Sequence, residues 1–210
     1  DMEHGAISVH QLPDLFRALE LGNTLPLVRL AQGHEKDCKQ ALDAGAGGVI
    51  IPMVESAEQL ERVKDACRWP PTGNRGVAFS RANLFGKDFD EYTEEAQQPL
   101  LVAMIEHINA IKELDLILQT DGIDGTFIGP YDLSGSLGKT GKLNDPKVLS
   151  AIDSYLEKAR KYNKLIGFHI VPIDSKLVLE KISEGYNFIA FGFDAYFLGS
   201  SIRNQLKNIK

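Results

Sequence analysis

The chain has 210 residues, 43% of them hydrophobic and 25% charged. These are ordinary globular proportions and exclude collagen-like, disordered and disulfide-scaffold classes. A net charge of −6 and a pI near 5.4 leave no basic surface that would track phosphates, so nucleic acid is not an expected partner.

In chain order, the polar start Asp1-Met2-Glu3-His4 is unlike a signal peptide. It also begins at Asp rather than Met, so a processed or incomplete start is expected. No run approaches ~18 apolar residues, and no membrane span is expected. Short apolar runs follow at 26–30, 47–54, 100–106, 125–130, 165–170 and 187–192. They are continuous rather than alternating, the pattern of parallel strands buried on both faces. The residues before His4 read as the end of one further strand. Helical patterns lie between the runs. They cover 35–44, closed by Gly45; 56–68, capped by Ser56 with Glu58 and Gln59 in the first turn; 109–119; 146–162; and 174–184, closed by Gly185.

Strand–helix alternation at this spacing implies βαβ crossovers. A doubly wound open sheet and a (β/α)8 TIM barrel both satisfy it. No G-x-G-x-x-G follows any strand and no Walker A motif is present. Small-residue helix ends such as Asp43-Ala44-Gly45-Ala46 favour the barrel. The stretch 69–98, with Pro70-Pro71, Asn74-Arg75-Gly76 and a run of acids, is long for a plain connection. It reads as a loop with short helical pieces, 92–97 among them, lying over the strand tops or against a neighbouring subunit. Cys38 and Cys67 make no metal motif and read as reduced thiols of a cytoplasmic protein.

In either architecture, function sits at the C-terminal strand ends. His4, Arg29, Glu106, Asp132 and His169 stand there, with Arg75 in the long loop. Glu106 closes an apolar strand, where an unpaired carboxylate is costly. Asp132 follows the next strand, so the two rise side by side on one rim. Such a pair repels unless it shares a proton or a cation. A hard divalent ion uses one or two carboxylates and leaves positions for water or substrate oxygens. The competing reading pairs Glu106 with a Lys or Arg and makes Asp132 a helix cap. Arg29 suits either a substrate carboxylate or a structural ion pair. His4, with Asp1 placed to orient its imidazole, suits either acid/base work or an exposed surface position, and His169 is similar.

Six segments occur in order: Asp1-Met2-Glu3-His4-Gly5, Pro26-Leu27-Val28-Arg29, Gly48 to Val54, Asn74-Arg75-Gly76-Val77, Met104-Ile105-Glu106 and Phe127 to Ser134. Together they resemble the HpcH/HpaI aldolase family, class II pyruvate-type aldolases related to the citrate lyase beta-subunit group. The resemblance implies a single (β/α)8-barrel domain over 1–210, commonly a hexamer with its last helix exchanged between subunits. On that numbering the strands are 2 to 8. The first βα unit and most of strand 2 are expected in a further ~30 to 50 residues before Asp1.

The activity implied is reversible cleavage of a 4-hydroxy-2-oxo acid to pyruvate and an aldehyde, with Mg2+, Mn2+ or Co2+. Glu106 and Asp132 are then the metal ligands. Arg29 holds pyruvate and stabilises its enolate, and His4 with Asp1 is the acid/base dyad. The amides of Tyr131 and Asp132 bind the pyruvate carboxylate. Family members often carry Gln at the position of Met104 and an aliphatic residue at that of His169. Both would face substrate, so both departures bear on the aldehyde half. The alternatives are another carbon–carbon lyase (an oxaloacetate decarboxylase or an acyl-thioester lyase) and a ligand-binding barrel without turnover.

Overall fold

A computed structural model describes residues 1–207 and 209. Six parallel strands form one sheet whose spatial order follows the sequence. They are β1 (Leu27–Arg29), β2 (Gly48–Val54), β3 (Leu100–Ile105), β4 (Gly125–Ile128), β5 (Leu165–Ile170) and β6 (Phe188–Phe191). Each apolar run is a strand. Residues 1–5 are not. Their backbone reaches the sheet through a hydrogen bond from the Met2 N–H to the Arg29 carbonyl at 3.0 Å. The Asp1 carboxylate explains the difference. It accepts the amides of Glu3 and His4 at 3.0 and 3.3 Å, a local turn that bends the chain out of an extended path.

The sheet curls into a half-barrel, and residue parity assigns its two faces. Val102, Met104 and Phe127 form a small inner cluster with Ile50, Phe188 and Ala190 against them. The intervening residues, among them Val49, Ile51, Leu101, Ala103 and Ile105, join the main core beneath the helices. Gly167 on β5 makes the inner packing possible, because a Cβ there would strike the Phe127 ring.

The helices are α1 (Leu12–Leu21), α2 (Glu35–Asp43), α3 (Ala57–Cys67), α4 (Phe89–Glu95), α5 (Ile108–Lys112), α6 (Leu114–Gln119), α7 (Pro130–Ser136), α8 (Pro146–Ala159), α9 (Ser175–Ser183) and α10 (Asp194–Lys207). The helix expected over 109–119 is two, broken at Glu113. Its carboxylate turns away to accept the first amide of α3, Ala57 N–H, at 3.3 Å. Cys38 and Cys67 are both buried free thiols between α2 and α3.

The segment 69–98 does not cover the strand tops. It closes the opposite end, where strands begin. Arg75 and Tyr92 share a cavity of about 560 Å³ with Leu25, Ala46, Gly47 and Pro99, residues that precede β1, β2 and β3. The Arg81 guanidinium donates to the Ala44 carbonyl at 3.0 Å and pairs with Glu20 at 2.7 Å. Topology dictates this placement, since a helix that runs back along the sheet ends beside the strand starts. Arg75 is therefore buried far from the rim, its guanidinium beside the Trp69 and Tyr92 rings. Among the described residues, no helix is long and apolar enough to cross a membrane.

Candidate active site

The same parity that fills the half-barrel aims its polar residues. Val102, Met104 and Glu106 lie on one face of the β3 path, so Glu106 stands one layer above the inner cluster, just past the strand end. Only 2% of Glu106 is exposed. Its Oε2 accepts the Met53 amide at 3.1 Å. Its Oε1 packs over Gly129, where any Cβ would meet that oxygen at 2.5 Å. Burial pushes the carboxyl up to about 7, with Glu3 and Asp132 adding to the rise and Met53 and Arg29 opposing it. Asp132 stands in the first turn of α7, exposed, beside the equally exposed Tyr131.

Arg29 ends β1 with its side chain largely shielded. Its Nε and Nη2 grip the Asp1 carboxylate at 2.9 and 2.5 Å, and its Nη1 stands 3.1 Å from Glu3 Oε2. Asp1 thus faces Arg29 and the His4 backbone rather than the His4 imidazole. That ring is mostly exposed, 3.9 Å from Glu3 Oε2. Glu3 is the residue that sequence reasoning passed over. Its carboxylate is largely buried, contacts Arg29, and is felt by Glu106. Its place between two selected residues in Asp-Met-Glu-His was the available signal.

His169 lies near the Phe127 ring, 6.3 Å between centroids. Burial, then the Arg29 charge, holds its imidazole below the ordinary value and favours the neutral form. Met104 is buried in the inner cluster. The rim therefore gathers Glu3, Arg29, Glu106 and Asp132, with His169 within reach of Arg29's field. Among the described residues, no group of three His, Cys, Asp or Glu side chains is close enough to ligate a metal. A carboxylate raised chiefly by burial, with two acids adding to the rise, nonetheless fits a hard divalent cation, which takes one or two protein oxygens and fills its other positions with water or substrate.

The family model for HpcH/HpaI aldolase/citrate lyase matches residues 1–200. The chain belongs to that family. A 2-keto-3-deoxy-L-rhamnonate aldolase from Salmonella gallinarum is 37% identical over all of this chain and 79% of its own length. One from Salmonella paratyphi A is 36% identical with the same coverage. Among solved structures, an HpcH/HpaI aldolase from Desulfitobacterium hafniense superposes with a TM-score of 0.89 at 28% identity, covering 100% of this chain and 82% of that one. A Burkholderia cenocepacia HpcH/HpaI aldolase/citrate lyase family protein gives 0.91 at 28%, with 100% and 83% covered. This HpcH/HpaI member is accordingly a carbon–carbon lyase, and its family is generally dependent on a divalent metal.

Proposed function

We propose that the chain performs reversible aldol cleavage of a 4-hydroxy-2-oxo acid to pyruvate and an aldehyde. Glu106 and Asp132 would hold a divalent ion, Mg2+, Mn2+ or Co2+. The observation that carries this reading is the Glu106 carboxylate buried at the strand-end rim, with Asp132 opening α7 after the next strand and Arg29 ending β1.

The bound ion would act as a Lewis acid on the 2-oxo group. The remaining work falls to the chain's own groups. A guanidinium has five N–H donors. Asp1 takes two of Arg29's and Glu3 faces a third nitrogen, which leaves N–H groups for a substrate oxygen. Held from two sides, Arg29 is pre-positioned for the negative charge that develops on the 2-oxo oxygen. The proton of the C4 hydroxyl passes to a base, for which His4 is the proposed group. The C4–O bond becomes a carbonyl, the C3–C4 bond breaks, and its electron pair enters the pyruvate enolate, which takes up a proton at C3. Asp1 acts in this scheme through Arg29. The amides of Tyr131 and Asp132, at the positive end of α7, suit the substrate carboxylate. Neutral His169 is the proposed contact to the aldehyde portion, with Met104 buried in the inner cluster beneath the rim.

The same reading includes a single (β/α)8-barrel domain, supported by six parallel strands in sequence order, and a cytoplasmic homo-oligomer without nucleic-acid or membrane partners. The test is pyruvate release by chelator-stripped protein resupplied with Mn2+, Mg2+ or Co2+. 2-Keto-3-deoxy-L-rhamnonate, the acid in the relatives' name, comes first in the panel, and oxaloacetate is the comparison substrate. Metal-dependent release from the hydroxy-oxo acids at rates above that from oxaloacetate is expected. No release from any of them overturns the proposal.

A further inference from the structure

β2 ends in a bulge. Ile51 lies opposite Ala103 and Val54 opposite Ile105, so β2 spends one more residue than β3 over the same stretch. Pro52 and Met53 occupy the gap. Pro52 has no N–H to give the ladder. Met53 takes a φ of 50°, a left-handed conformation that residues other than glycine rarely adopt. The Met53 amide consequently leaves the sheet and donates to Glu106 Oε2 at 3.1 Å.

Gln59 holds this turn from outside. It is the third residue of α3, and Ser56 Oγ caps its amide at 3.2 Å. A glutamine there ordinarily reaches back to the cap residue's amide. Here it reaches further. Its Nε2 donates to the Met53 carbonyl at 3.2 Å, and its Oε1 accepts the Glu55 amide at 2.9 Å. One carboxamide therefore brackets Val54 and ties both sides of the bulge to the helix. Glu55 is anchored in turn, its Oε2 accepting from Asn109 Nδ2 at 3.0 Å and standing 3.1 Å from His107 Nδ1.

We infer that Gln59 is a positioning residue for Glu106: its carboxamide fixes the Met53 amide, and that amide fixes the carboxylate for the divalent ion. The inference rests on Glu106 being a metal ligand. It requires a donor and an acceptor together at position 59. Leucine offers neither, and glutamate sets a second acceptor against the Met53 carbonyl. Loss of such an outer hydrogen bond weakens metal binding by about 10- to 100-fold.

Mn2+ binding to the chelator-stripped chain, followed by electron paramagnetic resonance, tests it. Four forms are compared: wild type, Gln59→Leu, Gln59→Glu, and Gln59→Leu combined with Met53→Gly. Both single variants are expected to raise the Mn2+ Kd about tenfold or more. Met53→Gly should win back part of the Gln59→Leu loss, since glycine holds a positive φ without a clamp. A Gln59 that merely capped α3 would lower the melting temperature and leave the Kd within about twofold of wild type; that result overturns the inference. An equal Kd with and without Met53→Gly in the Gln59→Leu background also overturns it. Should Gln59→Leu fail to fold, the near-isosteric Gln59→Glu makes the comparison with wild type. A wild-type chain with no saturable Mn2+ site refutes the ligand assignment itself, and the inference falls with it.

Discussion

Glu106 concentrates the residue-scale physics. In the folded metal-free protein its proton is held up to about pH 7, whereas an ordinary carboxyl gives it up near 4.5. Below 4.5 the group is neutral folded or unfolded, and burial carries no charge penalty. Between 4.5 and about 7 the unfolded chain ionises first, and the penalty grows; above 7 it is fully present. Metal-free protein should therefore melt at progressively lower temperature across that window. Mn2+ should raise the melting temperature more at about pH 8 than at about pH 5.5. Calorimetry of wild type and Glu106→Gln checks this, and an equal Mn2+ effect at both pH values contradicts it. Glu106 and Arg29 are legible in the sequence because both are charges at the ends of apolar runs. The partner of Asp1 was not legible. An acid three residues from a histidine suggests a dyad, but its distance to a guanidinium on another element depends on the fold.

At the scale of elements, the six strands were readable because burial on both faces leaves unbroken apolar runs. Helices fared less evenly. Those with caps or glycine stops, α2, α3 and α9, match their expected spans closely. No pattern in the sequence analysis marks α1 or α10, and the break at Glu113 depends on an acceptor for α3 that no local pattern encodes. Of the two placements expected for 69–98, the one over the strand tops fails, because length marks a loop without saying which end of the sheet it closes. Tyr155 shows how a helix is fixed to this sheet. Its buried hydroxyl lies 3.0 Å from Thr126 Oγ1 on β4 and accepts the Gly167 amide of β5 at 3.2 Å. Burial raises its pKa well above the ordinary phenol value, so it stays a neutral donor. Tyr155→Phe strands those partners and should cost about 1–3 kcal/mol in urea denaturation. A change below a few tenths of a kcal/mol would mean that α8 is held by packing alone.

For the whole molecule, the outermost helix is the informative part. No described residue of α10 is buried, and Leu198, Ile202 and Leu206, spaced four apart, expose 66%, 50% and 53% of their surface along one stripe. Such a stripe is expected to be covered in a homo-oligomer. Sedimentation should give a mass above one chain, falling when Leu198 and Ile202 are both replaced by Glu; a monomeric wild type contradicts this. The half-barrel, its rim of acids around Arg29 and its family membership converge on one proposal, that metal-dependent aldol chemistry is centred on Glu106. The most direct check is the steady-state rate of pyruvate release from 2-keto-3-deoxy-L-rhamnonate at saturating Mn2+, wild type against Glu106→Gln. A fall in kcat/KM of about 100-fold or more is expected. A Glu106→Gln enzyme as fast as wild type would contradict the proposal.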